Sequence, residues 1–417
     1  MATLAGLSAT ILLLTASFAG AAPGALDPTF GIGGLSSPAA PTNYGYSNQA
    51  IAVQPDGKIV TAGYEQFMSS PTDMAVQRFN TDGSLDTAFG GGDGVAKIDV
   101  PTANSSSAYS VKLLSDGSII VGGERVVSGN NFEFVVAKLD EDGVLDDSFD
   151  GDAGNTCGPS AGNGIVCIAV SAGAGTDRGK QLAIEPDGDI LLAGGVYLSP
   201  GVGMAGVIRL KPTGALDATF GGDGRVTTPL ADNSWDSWGN ALSLQPDGSM
   251  IISGGIEGKG DNGLGVEVYV YALGFVRIDS GGVVDTTFHS VQPGYTGNPY
   301  TYGVILAPRG AAWSYGAVSD AALQPDGKLV ATGYANNGSP IVLGSSLVAL
   351  RLTTTGALDP TYGSGGRTLI DFGKSNSGER IRLDSTGRAY IAGYYTPDLI
   401  NYEFATRLTS AGALDTT

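Results

Sequence analysis

The chain has 417 residues, with 41 acidic against 22 basic side chains and a formal net charge of −19. That balance excludes the basic patches that nucleic acid or an anionic membrane surface requires of a partner. Its single histidine excludes a multi-histidine zinc site, and its two cysteines without a nearby histidine make a poor one.

Taken in order, the N-terminus reads as a signal peptide over residues 1–22. Leu4 to Phe18 is apolar but too short to span a bilayer, and Ala19-Gly20-Ala21 has the small-residue pattern of a cleavage site. The Lys or Arg usual after Met1 is missing. No other stretch is long and apolar enough to cross a membrane. A secreted or cell-envelope location is expected.

From Leu26 onward the chain repeats one unit. Its first half reads Gln54-Pro55-Asp56-Gly57-Lys58-Ile59-Val60-Thr61-Ala62-Gly63 and recurs around Asp116-Gly117, Asp187-Gly188, Asp247-Gly248, Asp326-Gly327 and, degraded, Thr386-Gly387. Proline presets φ at the second turn position and glycine supplies the positive φ that closes a hairpin. The second half reads Arg78-Phe79-Asn80-Thr81-Asp82-Gly83-Ser84-Leu85-Asp86-Thr87-Ala88-Phe89-Gly90, and its Leu/Val-Asp pair begins at 26, 85, 145, 216, 284, 358 and 414. Alternating segments such as Ile51-Ala52-Val53 and Phe134-Val135-Val136-Ala137 flank the turns, and a short strand such as Val95-Ala96-Lys97-Ile98 follows each Phe-Gly. That makes about four antiparallel strands per unit, the size of a propeller blade. Length alone suggests two or three domains, but the repeat overrides it. The expected fold is all-β, a single six-bladed β-propeller of four-stranded antiparallel blades over 26–417. Its units lie near 26–84, 85–144, 145–215, 216–283, 284–357 and 358–413.

The Gln-Pro-Asp-Gly-Lys half followed by Arg-Phe-x-x-x-Gly-x-Leu-Asp-x-x-Phe-Gly resembles the delta-60 repeat of bacterial secreted proteins. The likeness covers nearly all of the chain after residue 25. It implies a β-propeller and an extracellular setting. It carries no catalytic assignment and no site residues, and a fold does not imply a function.

Six basic residues stand eight positions before the unit aspartate: Arg78 before Asp86, Lys138 before Asp146, Arg209 before Asp217, Arg277 before Asp285, Arg351 before Asp359, and Arg407 before Asp415. A tight turn between them should set each pair face to face, as structural ion pairs. The alternative is a ring of cations for an acidic ligand. Cys157 and Cys167, in the extra residues of the third unit, are expected to form a disulfide worth roughly 2–3 kcal/mol by loop entropy. Asp150-Gly151-Asp152-Ala153-Gly154-Asn155 has acids spaced as in a calcium loop, but lacks the sixth-position glycine and the distal glutamate. A solvated Gly-rich turn and no cofactor are expected, with calcium at this loop as the alternative. His289 replaces the glycine of one Phe-Gly and has no visible nucleophile or orienting partner.

The repeat is broken near 150–178, 256–272 and 289–318. Trp235, Trp238 and Trp313 fall just upstream of the strand that enters the Pro-Asp-Gly turn, in the segment that also holds Tyr44, Tyr46, Tyr109 and Tyr315. With Tyr295, Tyr300 and Tyr302, the three tryptophans and Tyr315 are expected to form an aromatic loop face. The functional expectation is a secreted, monomeric, non-enzymatic propeller that binds an extracellular glycan or a protein through that face. The alternatives are a polysaccharide lyase or hydrolase on the same scaffold, and a structural envelope module.

Overall fold

The computed structural model describes residues 26–36, 44–67, 71–129, 131–149, 157, 162–171, 175–199, 202–230, 236–261, 267–290, 303–306, 316–336, 345–397 and 400–416. Among them every regular element is a β-strand, and no helix is long and apolar enough to cross a membrane. The first 25 residues, including the signal-peptide segment, and the loop 150–156 lie outside the described residues, as do Trp235, Tyr295, Tyr300, Tyr302, Trp313 and Tyr315.

The strands follow the repeat. The first unit is β1 (Tyr44–Val53), β2 (Ile59–Phe67), β3 (Thr72–Phe79) and β4 (Val95–Ile98), paired in chain order. The second is β5 (Ser105–Leu113), β6 (Ile119–Ser128), β7 (Asn131–Leu139) and β8 (Ile165–Ile168). The third is β9 (Thr176–Ile184), β10 (Ile190–Ser199), β11 (Val202–Leu210) and β12 (Arg225–Thr228). The fourth holds β13 (Asp236–Leu244), β14 (Met250–Asp261), β15 (Glu267–Ile278), β16 (His289–Ser290) and β17 (Gly303–Leu306). The fifth is β18 (Gly316–Leu323), β19 (Leu329–Asn336), β20 (Ser345–Leu352) and β21 (Arg367–Ile370). The sixth has three strands among the described residues, β22 (Ser375–Leu383), β23 (Ala389–Thr396) and β24 (Tyr402–Leu408), where the repeat led us to expect four.

The turns form for the reasons the sequence suggests. At the first hairpin the Gln54 N–H donates to Lys58 O at 2.8 Å and Gly57 N–H to Gln54 O at 2.9 Å. Gly57 sits at φ 87°, where a side chain would be strained. The Asp56 carboxylate accepts from the Lys58 N–H at 3.0 Å, which locks the turn.

Successive units share their cores. One apolar cluster joins Val60, Val76 and Ile98 of the first unit to Val111, Val121 and Val135 of the second. Four more clusters repeat this from unit to unit through to the sixth. The Cys157–Cys167 disulfide, with Cα atoms 5.1 Å apart, is buried in the first of these clusters. Ile51 of the first unit is 63% exposed, whereas Val111, at the equivalent place in the second, is 5% exposed.

A polar clasp reinforces four of the joints. Every one of the six basic residues lies within 2.6–2.9 Å of its own unit's aspartate. Four of the arginines use a second nitrogen to reach the following unit. Arg209 Nη1 donates to Ser280 O at 2.6 Å, Arg277 to Thr354 O at 2.8 Å and Arg351 to Ser410 O at 2.8 Å, and Arg78 makes the same contact with Glu141 O. Each guanidinium also covers the ring of its Asp-x-x-Phe/Tyr turn, 4.6–4.9 Å from the centroid. That ring in turn presses on a turn glycine of the next unit, Phe89 on Gly143 and Tyr362 on Gly412. The N-terminal stretch behaves in the same way: Phe30 presses on Gly83, and the Gly31 N–H donates to Asp82 O at 2.6 Å. It therefore sits on the first unit as each unit's own turn sits on its successor.

Candidate functional site

The first strand of each unit contributes to one shared cavity and carries one irregularity. Along β1, β5, β9, β13, β18 and β22 a single residue has no partner on the second strand: Gln49, Tyr109, Lys180, Asn240, Ser319 and Glu379. Such a bulge re-aims the extra side chain. All six of these residues line one cavity of about 680 Å³, together with Asn48, Lys112, Gln181, Asp320, Arg380 and Arg382.

A glycine on the second strand makes the bulge possible. A Cβ on Gly63, Gly123, Gly194, Gly254, Gly333 or Gly393 would lie 1.8–2.0 Å from a carbonyl oxygen of the bulged strand, for example Trp238 O for Gly254. Only glycine tolerates that approach. The last residue of the repeated Lys-Ile-Val-Thr-Ala-Gly stretch is thus a condition for the cavity.

The six bulge positions carry an amide, a phenol, an ammonium, a second amide, a hydroxyl and a carboxylate. Tyr109 donates to Glu124 at 3.3 Å and its hydroxyl is pushed up to about 12, first by burial and then by the Glu124 charge. Glu124 also receives Arg178 at 3.1 Å and Lys180 at 3.2 Å. Burial holds the Lys180 ammonium below its ordinary value, with Glu124 opposing that trend. Buried Asp320 accepts from Arg382 at 2.9 Å and from the Ile381 N–H at 3.0 Å. Arg380 reaches across to the first unit, donating to Gln49 O at 3.4 Å.

Of the aromatic residues singled out from the sequence as ligand-binding, only Trp238 is described. It is half-buried on β13, its ring covering Gly255 and its Cβ side abutting Gly195 of the third unit. The wider segment also contained Tyr109, which the bulge turns into the axial cavity. His289 starts β16, and its side chain lies outside the described residues. One acidic group, Glu185, Asp187 and Asp189, brings its oxygens within 4.8 Å of one another. Arg209 stands 3.6 Å from Glu185 and Lys211 2.8 Å from Asp189, so these carboxylates belong to an ion-pair network.

The bulge residues were not picked out in the sequence. Their one signal was the glycine opposite the bulge, at the end of each second-strand stretch.

Strand units around a common axial cavity define a β-propeller. Four of the repeats match the family described as "Domain of unknown function (DUF5122) beta-propeller", at residues 54–89, 114–149, 185–220 and 324–362, consistent with a delta-60-like repeat β-propeller family of unassigned function. No curated protein matches it in sequence. Among solved structures it is similar to a Penicillium chrysogenum alpha-L-arabinanase complexed with arabinobiose, at 10% identity and TM-score 0.46, over 90% of this chain and 97% of that one. It is also similar to polysaccharide lyase Uly1, at 11% identity and TM-score 0.42 over 95% and 92% of the two chains. A protein of unknown function from Dyadobacter fermentans is similar at 12% identity and TM-score 0.41, over 72% and 78%. Similarities this distant say nothing about activity.

Proposed function

We propose that the protein is an extracellular, non-enzymatic binding propeller whose six units close into a ring and whose axial cavity takes a glycan. The observation that carries this reading is the set of bulge residues, one per unit, lining a single cavity of about 680 Å³, within the range of small-ligand sites. Amides, hydroxyls and a phenol at Gln49, Asn240, Ser319 and Tyr109 are the groups that exchange hydrogen bonds with sugar hydroxyls. The docking of Phe30 and Gly31 on the first unit supports ring closure.

An enzymatic reading asks more of the site. A general base works best with a pKa near the operating pH, and Tyr109, pushed up to about 12, stays protonated and is no base there. The disulfide agrees with an oxidising, extracellular setting.

The reading is tested on a glycan array with the native protein and with Ser319→Trp, which fills the cavity from one bulge. Binding of a defined glycan set by the native protein and its loss in the variant support it. An array signal that the variant leaves unchanged would move the site to the outer face.

A further inference from the structure

The charges along the axial wall are distributed unevenly. Four cations line the cavity, Lys112, Lys180, Arg380 and Arg382, against two carboxylates, Asp320 and Glu379. Lys180 is answered by Glu124 and Arg382 by Asp320. Among the described residues neither Lys112 nor Arg380 has a carboxylate within ion-pair distance. Arg380 donates only to the carbonyls of Glu379 at 2.9 Å and Gln49 at 3.4 Å. The two cations stand on β5 and β22, on either side of β1, whose cavity-lining stretch from Asn48 to Ala52 carries no charge.

The cations lining the cavity also lie within electrostatic reach of one another. Burial holds Lys112 below its ordinary value, and the Arg382 charge adds to that while Asp320 opposes it. Lys180 is pressed in the same sense by Arg380. Like charges in a partly desolvated space repel unless an anion stands between them. In a chain with a net charge of −19 and only 22 basic residues, four line one cavity, and two of these, Lys112 and Arg380, have no carboxylate partner among the described residues.

Resting on the glycan reading above, we propose that the axial cavity recognises an acidic saccharide, a sugar unit carrying a carboxylate. The carboxylate sits between Lys112 and Arg380 over β1. The amides of Asn48 and Gln49 and the hydroxyls of Ser319 and Tyr109 take the ring hydroxyls. Arg380 can offer two parallel N–H groups to the carboxylate and Lys112 a point charge. The negative field of the remaining surface is damped beyond about 8 Å at physiological ionic strength, so the local cations decide the affinity.

The test is calorimetric titration of the mature protein with a panel of uronate di- and trisaccharides, their uncharged methyl esters, and sodium sulfate. At least one uronate should bind at least tenfold tighter than its ester, and more weakly as salt is raised. Lys112→Gln should lower that affinity at least fivefold and bring the acid-to-ester affinity ratio towards one. Arg380→Gln, which also leaves no buried carboxylate unpaired, should do the same. Equal binding of acid and ester would overturn the acidic-ligand inference while leaving the glycan reading intact. Unchanged uronate affinity in both variants would overturn the placement of the carboxylate. Binding of sulfate alone, or of nothing in the panel, would overturn both readings.

Discussion

Arg351 Nε lies 2.9 Å from Asp359 Oδ2, eight residues along the same unit, while its Nη1 donates at 2.8 Å to Ser410 O in the next. One side chain thereby fixes its own hairpin and ties two units together. Both members of the pair are buried, and removing the arginine leaves Asp359 only the partly exposed Lys328 at 2.9 Å. Arg351→Met should cost about 2 kcal/mol in urea unfolding, from the lost charge-assisted hydrogen bonds. Arg351→Lys should cost about 1 kcal/mol, because lysine keeps the ion pair and loses the second arm. Lys138 shows that arrangement naturally, pairing with Asp146 at 2.8 Å. A Met variant within half a kcal/mol of wild type would reduce the clasp to an ordinary surface pair.

The same clasps set the acid limit of the fold. Hydrogen bonds from Lys138 and Ser148 hold the Asp146 carboxyl at about 2. Asp86, Asp217, Asp285 and Asp359 are lowered as well, although burial opposes ionisation at each of them. Groups depressed in the folded state bind fewer protons there than in the unfolded chain, so stability rises with pH between the two values. Unfolding free energy should be level above about pH 5 and fall steadily from about pH 4 towards pH 2. A thermal melt series that stays flat down to pH 2 would contradict these pairings.

The strand glycines permit a direct test of the bulge. Gly254→Ala would drive its Cβ to within 1.8 Å of Trp238 O, and should cost roughly 2 kcal/mol or more through the backbone shift it forces. Gly45→Ala on β1, with nothing within 4 Å, should lie within about 0.5 kcal/mol of wild type. Equal effects of the two would mean that the bulged geometry is not maintained in solution.

The repeat, the hairpin turns and the spacing of eight between Arg351 and Asp359 were legible in the sequence, because each is a local rule of the backbone. A tight turn brings positions eight apart face to face whatever the rest of the fold does. The second arm of Arg351 was not legible, since Ser410 comes close only when two units pack. The axial bulge escaped for another reason. Strict alternation assigns Gln49 and Tyr109 to one face of a regular strand, and the extra residue that re-aims them leaves no mark of its own. Its only trace is the glycine opposite, which reads as a turn-rich composition until the pairing is known.

Breaking the Cys157–Cys167 bond, which lies buried between the first two units, should lower stability by roughly 2–3 kcal/mol. Urea unfolding with and without reductant measures the loss, and thiol titration of the unfolded protein counts the cysteines released. Two free thiols in the oxidised, native protein would remove the cross-link from the account.

The most direct measurement is a crystal structure of the mature protein with the best-binding glycan from the array. The account places that ligand on the axis, within hydrogen-bond distance of bulge residues from at least three units, among them Gln49, Asn240 and Ser319. A ligand bound on an outer loop face, with the axial cavity holding only solvent, would contradict it.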